Sequence, residues 1–425
     1  MIDLLLLRIP FKSEYILQTK SHEEIGGRHG QYIDLVEISR LSGCKLNSRN
    51  VEFCIDGDLT VSDLNHPFES LPSSFASLAM KIHSGNTFLT PCVELKASPA
   101  KLLQCHNVFG STDLELCSLE MLAGLGASMP YLYDLLDITN TRLDWMDATY
   151  SARVASEYVA QQVIDGLRNV TNGQTKPSKF NREYQTTIEW NTGSKLKSLK
   201  IYLKGQEFQH QLKILNNELT QHPNDKLLQY KHSILNSPEL IEWANKCVRF
   251  EARLKHNYLE KNGIPRKLFD AINYQKEYEQ DGKDLIKDLW NISFKSLLDA
   301  IKGGDMKIHN DLSIKTKLQH EYGRLTPKGN ISYAKADRLF GFYRRLINEG
   351  YKAVNNSMAR NTFWRYEQEL MLIGLSKAQL QNLHGQQTNV IPLIRIIDID
   401  FSRQRPAWYQ EPKSFYEQNF NFKVA

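Results

Sequence analysis

The stretch Leu199-Lys200-Ile201-Tyr202-Leu203-Lys204 sets how the chain folds around its most reactive candidate side chain. Alternate residues of a strand share a face, so Leu199, Ile201 and Leu203 are expected to enter a core. Lys200, Tyr202 and Lys204 then line the opposite face together. A free tyrosine has a pKa near 10, so only about one in a thousand is ionised at neutral pH. A lysine two residues away on that face favours the phenolate and can neutralise a phosphate. Read alone, the same residues also describe an exposed strand with solvated lysines.

On the N-terminal side of this stretch, Asn191-Thr192-Gly193-Ser194 lies between the apolar runs Thr187–Trp190 and Leu199–Leu203 and reads as a hairpin or short loop joining antiparallel strands. Val248–Lys255 alternates as well: Val248, Phe250, Ala252 and Leu254 share one face, Arg249, Glu251, Arg253 and Lys255 the other. That second set is either a cross-strand ion-pair ladder or a metal ligand, Glu251, between arginines that hold DNA phosphates. Leu143–Thr149 alternates imperfectly and places Asp147 on a face with Trp145 and Thr149. A carboxylate in so apolar a strand must be paired, hydrogen-bonded or bound to a cation. Phe208–Gln221, Asp225–Asn236 and Pro238–Lys246 repeat apolar residues at helical spacing.

Before residue 124 short apolar runs such as Leu4–Ile9, Val51–Ile55 and Pro91–Leu95 are broken by turn residues, a β-rich pattern. After Gly303–Asp305 the pattern turns helical, in Ser332–Asn348, Arg360–Ile373 and Ser376–His384, with Val390–Phe401 reading as a strand pair or one long strand. The expected class is α+β: an antiparallel-sheet catalytic region with flanking helices and a mainly helical C-terminal domain. The divisions fall at 1–124 (β-rich), 125–305 (the Asp147, Tyr-x-Lys and Arg-x-Glu strands) and 306–425.

Composition is globular, with 41% hydrophobic and 24% charged residues, and the net charge of +5 permits a nucleic-acid partner without requiring one. The six cysteines form no CxxC pair, which argues against structural zinc and for a reducing compartment. Asp3 ahead of the first apolar run argues against a signal peptide, and no run reaches the roughly 20 apolar residues of a membrane span. GxxxxGK[ST], GxSxG and HExxH are all missing, and none of the twelve histidines forms a His-x-His pair. Asp147 and Glu251 together can hold Mg²⁺ or Mn²⁺ through oxygen ligands, with Tyr202 as an in-line nucleophile.

The chain resembles the gene II replication proteins of filamentous bacteriophages. The likeness runs through Asp56-Gly57-Asp58-Leu59-Thr60-Val61-Ser62, His66-Pro67-Phe68-Glu69-Ser70-Leu71-Pro72 and Lys96-Ala97-Ser98-Pro99-Ala100-Lys101. It continues through His106-Asn107-Val108-Phe109-Gly110, Asp147-Ala148-Thr149, Val248-Arg249-Phe250-Glu251-Ala252-Arg253 and Ala334-Lys335-Ala336-Asp337-Arg338. The resemblance implies an initiator of rolling-circle replication that binds the phage origin on supercoiled duplex and nicks the viral strand. Tyr202 would take the 5′ phosphate, leaving a 3′ hydroxyl for the host polymerase, and later rejoin the displaced single strand. Lys204 is expected to assist, Asp147 and Glu251 to hold the metal, and Arg249 and Arg253 to contact DNA. Host helicase and polymerase, self-association at the origin and the host bacterial cytoplasm complete that expectation, without a membrane. One departure is Cys105, where the family is expected to carry glycine; it weakens any catalytic role for His106. The resemblance also implies a shorter product from an internal start, for which Met306 is the candidate.

In the last third, Lys328, Lys335, Arg338, Arg344, Arg345, Lys352, Arg360 and Arg365 interleave with Tyr333, Phe340, Phe342, Tyr343, Phe363, Trp364 and Tyr366. Such interleaving suits backbone contact plus base stacking, in a helix-turn-helix with a wing. It equally suits an amphipathic helix with its aromatics in a core. Lys335, Arg338, Arg344 and Arg345 are the DNA-binding candidates. A water-using metal nuclease and a non-enzymatic origin-binding regulator are the competing functions.

Overall fold

The alternating segments form strands. In the computed structural model Arg142–Arg153, Thr187–Trp190, Lys197–Leu203 and Cys247–Lys255 join Ile2–Pro10, Glu69–Leu71, Leu78–His83 and Cys92–Ala97 in one sheet. Numbered along the chain these are β1 (Ile2–Pro10), β2 (Glu69–Leu71), β3 (Leu78–His83), β4 (Cys92–Ala97), β5 (Arg142–Arg153), β6 (Thr187–Trp190), β7 (Lys197–Leu203) and β8 (Cys247–Lys255). The sheet runs β6-β7-β8-β5-β1-β4-β3-β2 with every neighbouring pair antiparallel. All residues are described except 19–29, 45–47, 54–58, 65–68, 72–77, 169, 173–174, 302–310, 328, 385–398 and 415–425. The α+β class is as expected. The sheet unites strands from both sides of residue 124, because β1 pairs with β4 on one edge and with β5 on the other.

One face of the sheet is the main core. Leu5, Leu7, Ala148, Leu199, Ile201, Phe250 and Ala252 meet the helices α2 (Leu114–Ser128), α3 (Glu157–Leu167) and α8 (Leu285–Ile301). Trp290 of α8 is fully buried there, its indole N–H donating to the Phe250 carbonyl at 3.0 Å. Truncating such a side chain to alanine costs about 3–5 kcal/mol.

The opposite face carries the polar residues. Part of it is covered by the three helices expected after Tyr202: α4 (Lys204–Gln221), α5 (Lys226–Leu235) and α6 (Pro238–Asn245), while α1 (Pro99–Gln104) contributes Leu102 to the main core. Asp225 caps α5, accepting from the amides of Leu227 and Leu228 at 2.8 and 3.1 Å. Ser237 caps α6 with Pro238 in its first turn, the residue types that helix starts favour. Phe208, Leu215, Leu235, Leu240 and Ala244 close a smaller core over Cys105, Val108 and Phe109. Beyond these, α7 (Leu268–Gln280) sits on the main-core side.

The C-terminal region is helical, with α9 (Asp311–Tyr322), α10 (Ala334–Glu349), α11 (Tyr351–Ser357), α12 (Arg360–Leu372) and α13 (Lys377–Asn382). Ile314, Leu318, Leu339, Phe342, Leu346 and Leu370 form its own core. Of the expected strand Val390–Phe401, residues 390–398 lie outside the described residues, while Phe401–Arg403 form a 3-10 turn. The chain then returns to the sheet: the Gln404 side-chain amide exchanges hydrogen bonds with the Ser151 backbone at 2.7 and 3.0 Å. Met306, the proposed boundary at 303–305, Asp56–Asp58 and His66–Phe68 also fall outside the described residues. No helix among the described residues is long and apolar enough to cross a membrane.

Candidate active site

Antiparallel register assembles the polar face row by row. Tyr202 stands between Thr187 and Arg249, Lys200 between Glu189 and Glu251, and Arg253 between Ser198 and Asp147. Tyr202, Lys200, Asp147, Glu251 and Arg253 share a cavity of about 500 Å³, completed by Asp3 and by the first turns of α4. Asp3 reaches it through an irregularity in β1, whose register against β5 shifts between Ile2 and Leu4. A bulge of this kind re-aims a side chain, and here Asp3 and Leu4 both line the cavity.

The expectation that Lys204 continues the strand is corrected: β7 ends at Leu203 and Lys204 opens α4. Lys204 is fully buried. Its ammonium donates to Asn107 Oδ1 at 2.7 Å and to Glu207 one helical turn on. Burial, then the nearby Arg249 charge, push its pKa down to about 8. Asn107 in turn donates to Asp3 at 2.8 Å. A relay therefore runs Asp3–Asn107–Lys204–Glu207 beside the tyrosine, buried as far as Lys204 and partly exposed at Glu207.

Tyr202 is only 7% exposed. Burial pushes its pKa well above 10, and the group that most opposes this is Arg249 rather than either lysine. Lys200 sits over the ring, its ammonium 5.2 Å from the centroid. Arg249 was expected to hold DNA phosphates, but it is 1% exposed and gives both terminal nitrogens to the carbonyls of Asn107 and Val108. It also lies 3.6 Å from Asp3. It stands opposite Tyr202 in the sheet register, behind the lining of this cavity. Burial raises the Asp3 carboxyl, but Arg249, Lys204 and Asn107 outweigh it and hold the pKa below the usual range.

Asp147 is buried and gripped by Arg253 through two nitrogens, at 2.9 and 2.7 Å. Glu251 is pushed up to about 8, first by burial and then by repulsion from Asp147 and Asp3. Among the described residues no three His, Cys, Asp or Glu side chains converge as a metal cage. For a hard cation Asp147 and Glu251 would be the ligands, with water and substrate phosphate completing the shell; Arg253 already engages both oxygens of Asp147, so the cation would have to share that carboxylate with it.

His106 is buried, with burial pushing its pKa down to about 3. Its Nδ1 accepts from the Val108 amide at 3.3 Å, and its ring packs edge-on to Phe109. Cys105 ends α1 at φ 68°. That left-handed backbone is where glycine fits without strain.

Comparison with known proteins covers the chain almost completely. Residues 1–281 match the family model for the N-terminal part of the phage replication-associated protein of gene II, and residues 325–415 the model for its C-terminal part. The replication-associated protein of Salmonella phage IKe is 49% identical over 422 residues, spanning 99% of this chain and 98% of the relative. The chain belongs to this replication-associated protein family. The corresponding proteins of Enterobacteria phages M13 and fd are each 48% identical over 415 residues, 97% of this chain and 99% of the relative. It is a phage DNA replication protein, as the resemblance implied.

The C-terminal region of the chain treats its basic residues differently from the sheet. Lys335 pairs with Glu369 at 2.7 Å and lies 4.2 Å from the Tyr322 ring centroid. Arg344 pairs with Asp311, and Arg345 with Glu349 at 2.7 Å. Arg338 is exposed and reaches back to the Ala334 carbonyl at 3.3 Å. Phe342, Tyr343 and Phe363 are core, whereas Trp364 is 61% exposed. Sequence reasoning missed Asp3 and Glu207 as site residues. Asn107 was quoted only within a block of family likeness.

Proposed function

We propose that this protein nicks one strand of the phage replicative form at its origin through Tyr202 and later rejoins the displaced strand into a circle. The observation that carries the reading is one cavity lined by a tyrosine, two crowded carboxylates and Lys200, with the buried Lys204 held behind its wall by Asn107 and Glu207. The Tyr202 oxygen attacks the scissile phosphorus and gives up its proton. The bond from phosphorus to the 3′ oxygen breaks, that oxygen leaves as a hydroxyl, and the 5′ phosphate stays on tyrosine. The reverse attack by a 3′ hydroxyl restores the phosphodiester, so closure needs no ATP; one hard step becomes two reversible ones.

Arg249 and Lys204 supply positive charge to the phenolate in a water-poor wall, where such charge acts strongly. The Asp3–Asn107 pair orients Lys204. A divalent cation held by Asp147 and Glu251 would supply Lewis-acid polarisation of the phosphate. The 3′ end left by the nick suits host polymerase and helicase in the bacterial cytoplasm, with self-association at the origin as a further expectation.

The test is to incubate the protein and its Tyr202→Phe variant with end-labelled origin DNA and Mg²⁺ and run denaturing gels. A covalent product that vanishes in the variant, with binding retained, is the expected result. An adduct that survives moves the nucleophile elsewhere. Nicks without an adduct point to a water-using nuclease, and binding without nicks to an origin-binding regulator.

A further inference from the structure

Three large rings that could have been buried stand in solvent at one side of the site: Phe180 and Tyr184 are each 58% exposed and Tyr158 72%. The loop bearing the first two is held firmly. The Asn181 side chain exchanges hydrogen bonds with the Glu189 backbone, both at 2.9 Å, as a neighbouring strand would. Arg168 donates to the carbonyls of Asn181, Tyr184 (2.7 Å) and Gln185 (2.9 Å). Gln161 adds a bond to the Gln185 carbonyl at 3.1 Å. These bonds offset the entropy of ordering a surface loop, and what they hold still is a pair of exposed rings.

The loop leads directly into the site. Just after Tyr184 and Gln185 come Thr186 and Thr187, both in the wall of the Tyr202 cavity. On the other side Glu157, next to Tyr158, accepts from Gln206 at 3.2 Å, and Gln206 is another wall residue. Lys176 and Lys179 beside the rings are exposed. Across 176–185 the sequence sets Lys176, Lys179 and Arg182 against the single acid Glu183.

We propose that Phe180 and Tyr184, with Tyr158, form a stacking platform for the unpaired bases of single-stranded DNA that flank the scissile phosphate. Aromatic rings beside a basic groove are the recurrent single-strand site, because every base offers a π-face whatever its sequence. The net positive charge and the position at the cavity rim favour DNA over an apolar protein partner. Unstacking bases around the phosphate has an energetic cost that new stacking would offset. The inference rests on the nicking reading for its biological role, but its test does not depend on cutting.

The test measures binding of a short fluorescein-labelled single strand of mixed sequence to the full chain by anisotropy, without divalent cation, beside the same sequence as duplex. Phe180→Ala and Tyr184→Ala should each weaken single-strand binding about tenfold while duplex binding changes little. Tyr184→Phe and Phe180→Tyr should bind as the unsubstituted protein does. Circular dichroism checks that these surface variants fold. Three outcomes overturn the proposal: unchanged single-strand affinity in the double alanine variant, equal losses on single strand and duplex, or Tyr184→Phe as damaging as Tyr184→Ala. Failure of the nicking reading would appear separately, as a missing covalent adduct with this platform still binding.

Discussion

The sheet unit and the C-terminal helical unit both bury most of their large rings, such as Trp190, Trp290 and Phe250 in the one and Phe342 and Phe363 in the other, but they place charge and their exposed rings differently. Around the sheet, Asp3, Asp147, Lys204 and Arg249 are buried while Phe180 and Tyr184 are exposed. In the helical unit Phe342, Tyr343 and Phe363 are buried, while Arg338 and Arg344 face solvent. Buried charges cost several kcal/mol each unless their geometry and hydrogen bonds are good, whereas surface pairs contribute about 0–1 kcal/mol. A fold that keeps four charged groups dry next to a tyrosine maintains a field that water would otherwise screen. The helical unit uses its apolar surface to hold itself together.

The severest challenge to this contrast is Arg249→Leu. It strips the Asn107 and Val108 carbonyls of their donor and leaves Asp3 short of a partner. Urea unfolding should show a loss of about 3–5 kcal/mol; a loss below about 1 kcal/mol would mean these buried bonds are not what holds this part of the sheet. Next comes Lys204→Met, expected to lower nicking about 100-fold with the origin still bound. Since the Lys204 pKa lies at about 8, its charge is present below that pH and fades above it. The unsubstituted protein should therefore lose rate on the alkaline side, a limb the variant lacks.

Glu251 offers a gentler test in the metal-free protein. Its folded pKa, about 8, lies above its ordinary value of 4.5, so the folded state holds a proton the unfolded chain releases. Stability must then fall as pH rises from about 4.5 to about 8. Glu251→Gln should match the parent at pH 4 and be more stable at pH 8 by about 1–3 kcal/mol, discounted for partial exposure. Urea titrations in chelator at both pH values measure this, and added Mg²⁺ should shrink the difference. Smallest of all, Arg345→Ala should barely move the urea midpoint, since its ion pair to Glu349 and its hydrogen bond to Ser357 of the next helix are both solvent-exposed. If the helical unit binds duplex, Arg338→Ala should lower the salt slope of binding by about 1; an unchanged slope removes Arg338 from the interface.

Much of the sheet was legible because a period of two is hard to mistake where polar and apolar residues alternate, as in β7 and β8. The pairing of β7 with β8 and of β8 with β5, which brings Tyr202, Glu251 and Asp147 together, is read only from the structure. The end of β7 was not legible: alternation runs through Lys204, and only packing shows the backbone turning helical after Leu203. Asp3 was hidden because Leu4–Leu7 is apolar at every position, so a shift of one residue leaves no trace in the pattern. Phe342 and Tyr343 among arginines fitted a core and a stacking surface equally well, and burial decides for the core. Cys105 shows the converse, since an expected glycine turned out to mark a positive φ that a cysteine here tolerates.

The position of Tyr202 within its strand also has a mechanical side. β7 is hydrogen-bonded along both edges, to β6 and to β8. A DNA strand joined to this tyrosine would pull on a rung clasped from left and right, and the following helix is continuous with it. Load would be shared across ladder bonds that must shear together rather than peel one at a time. Such an anchorage would suit the proposed covalent link, which must hold until the strand is rejoined.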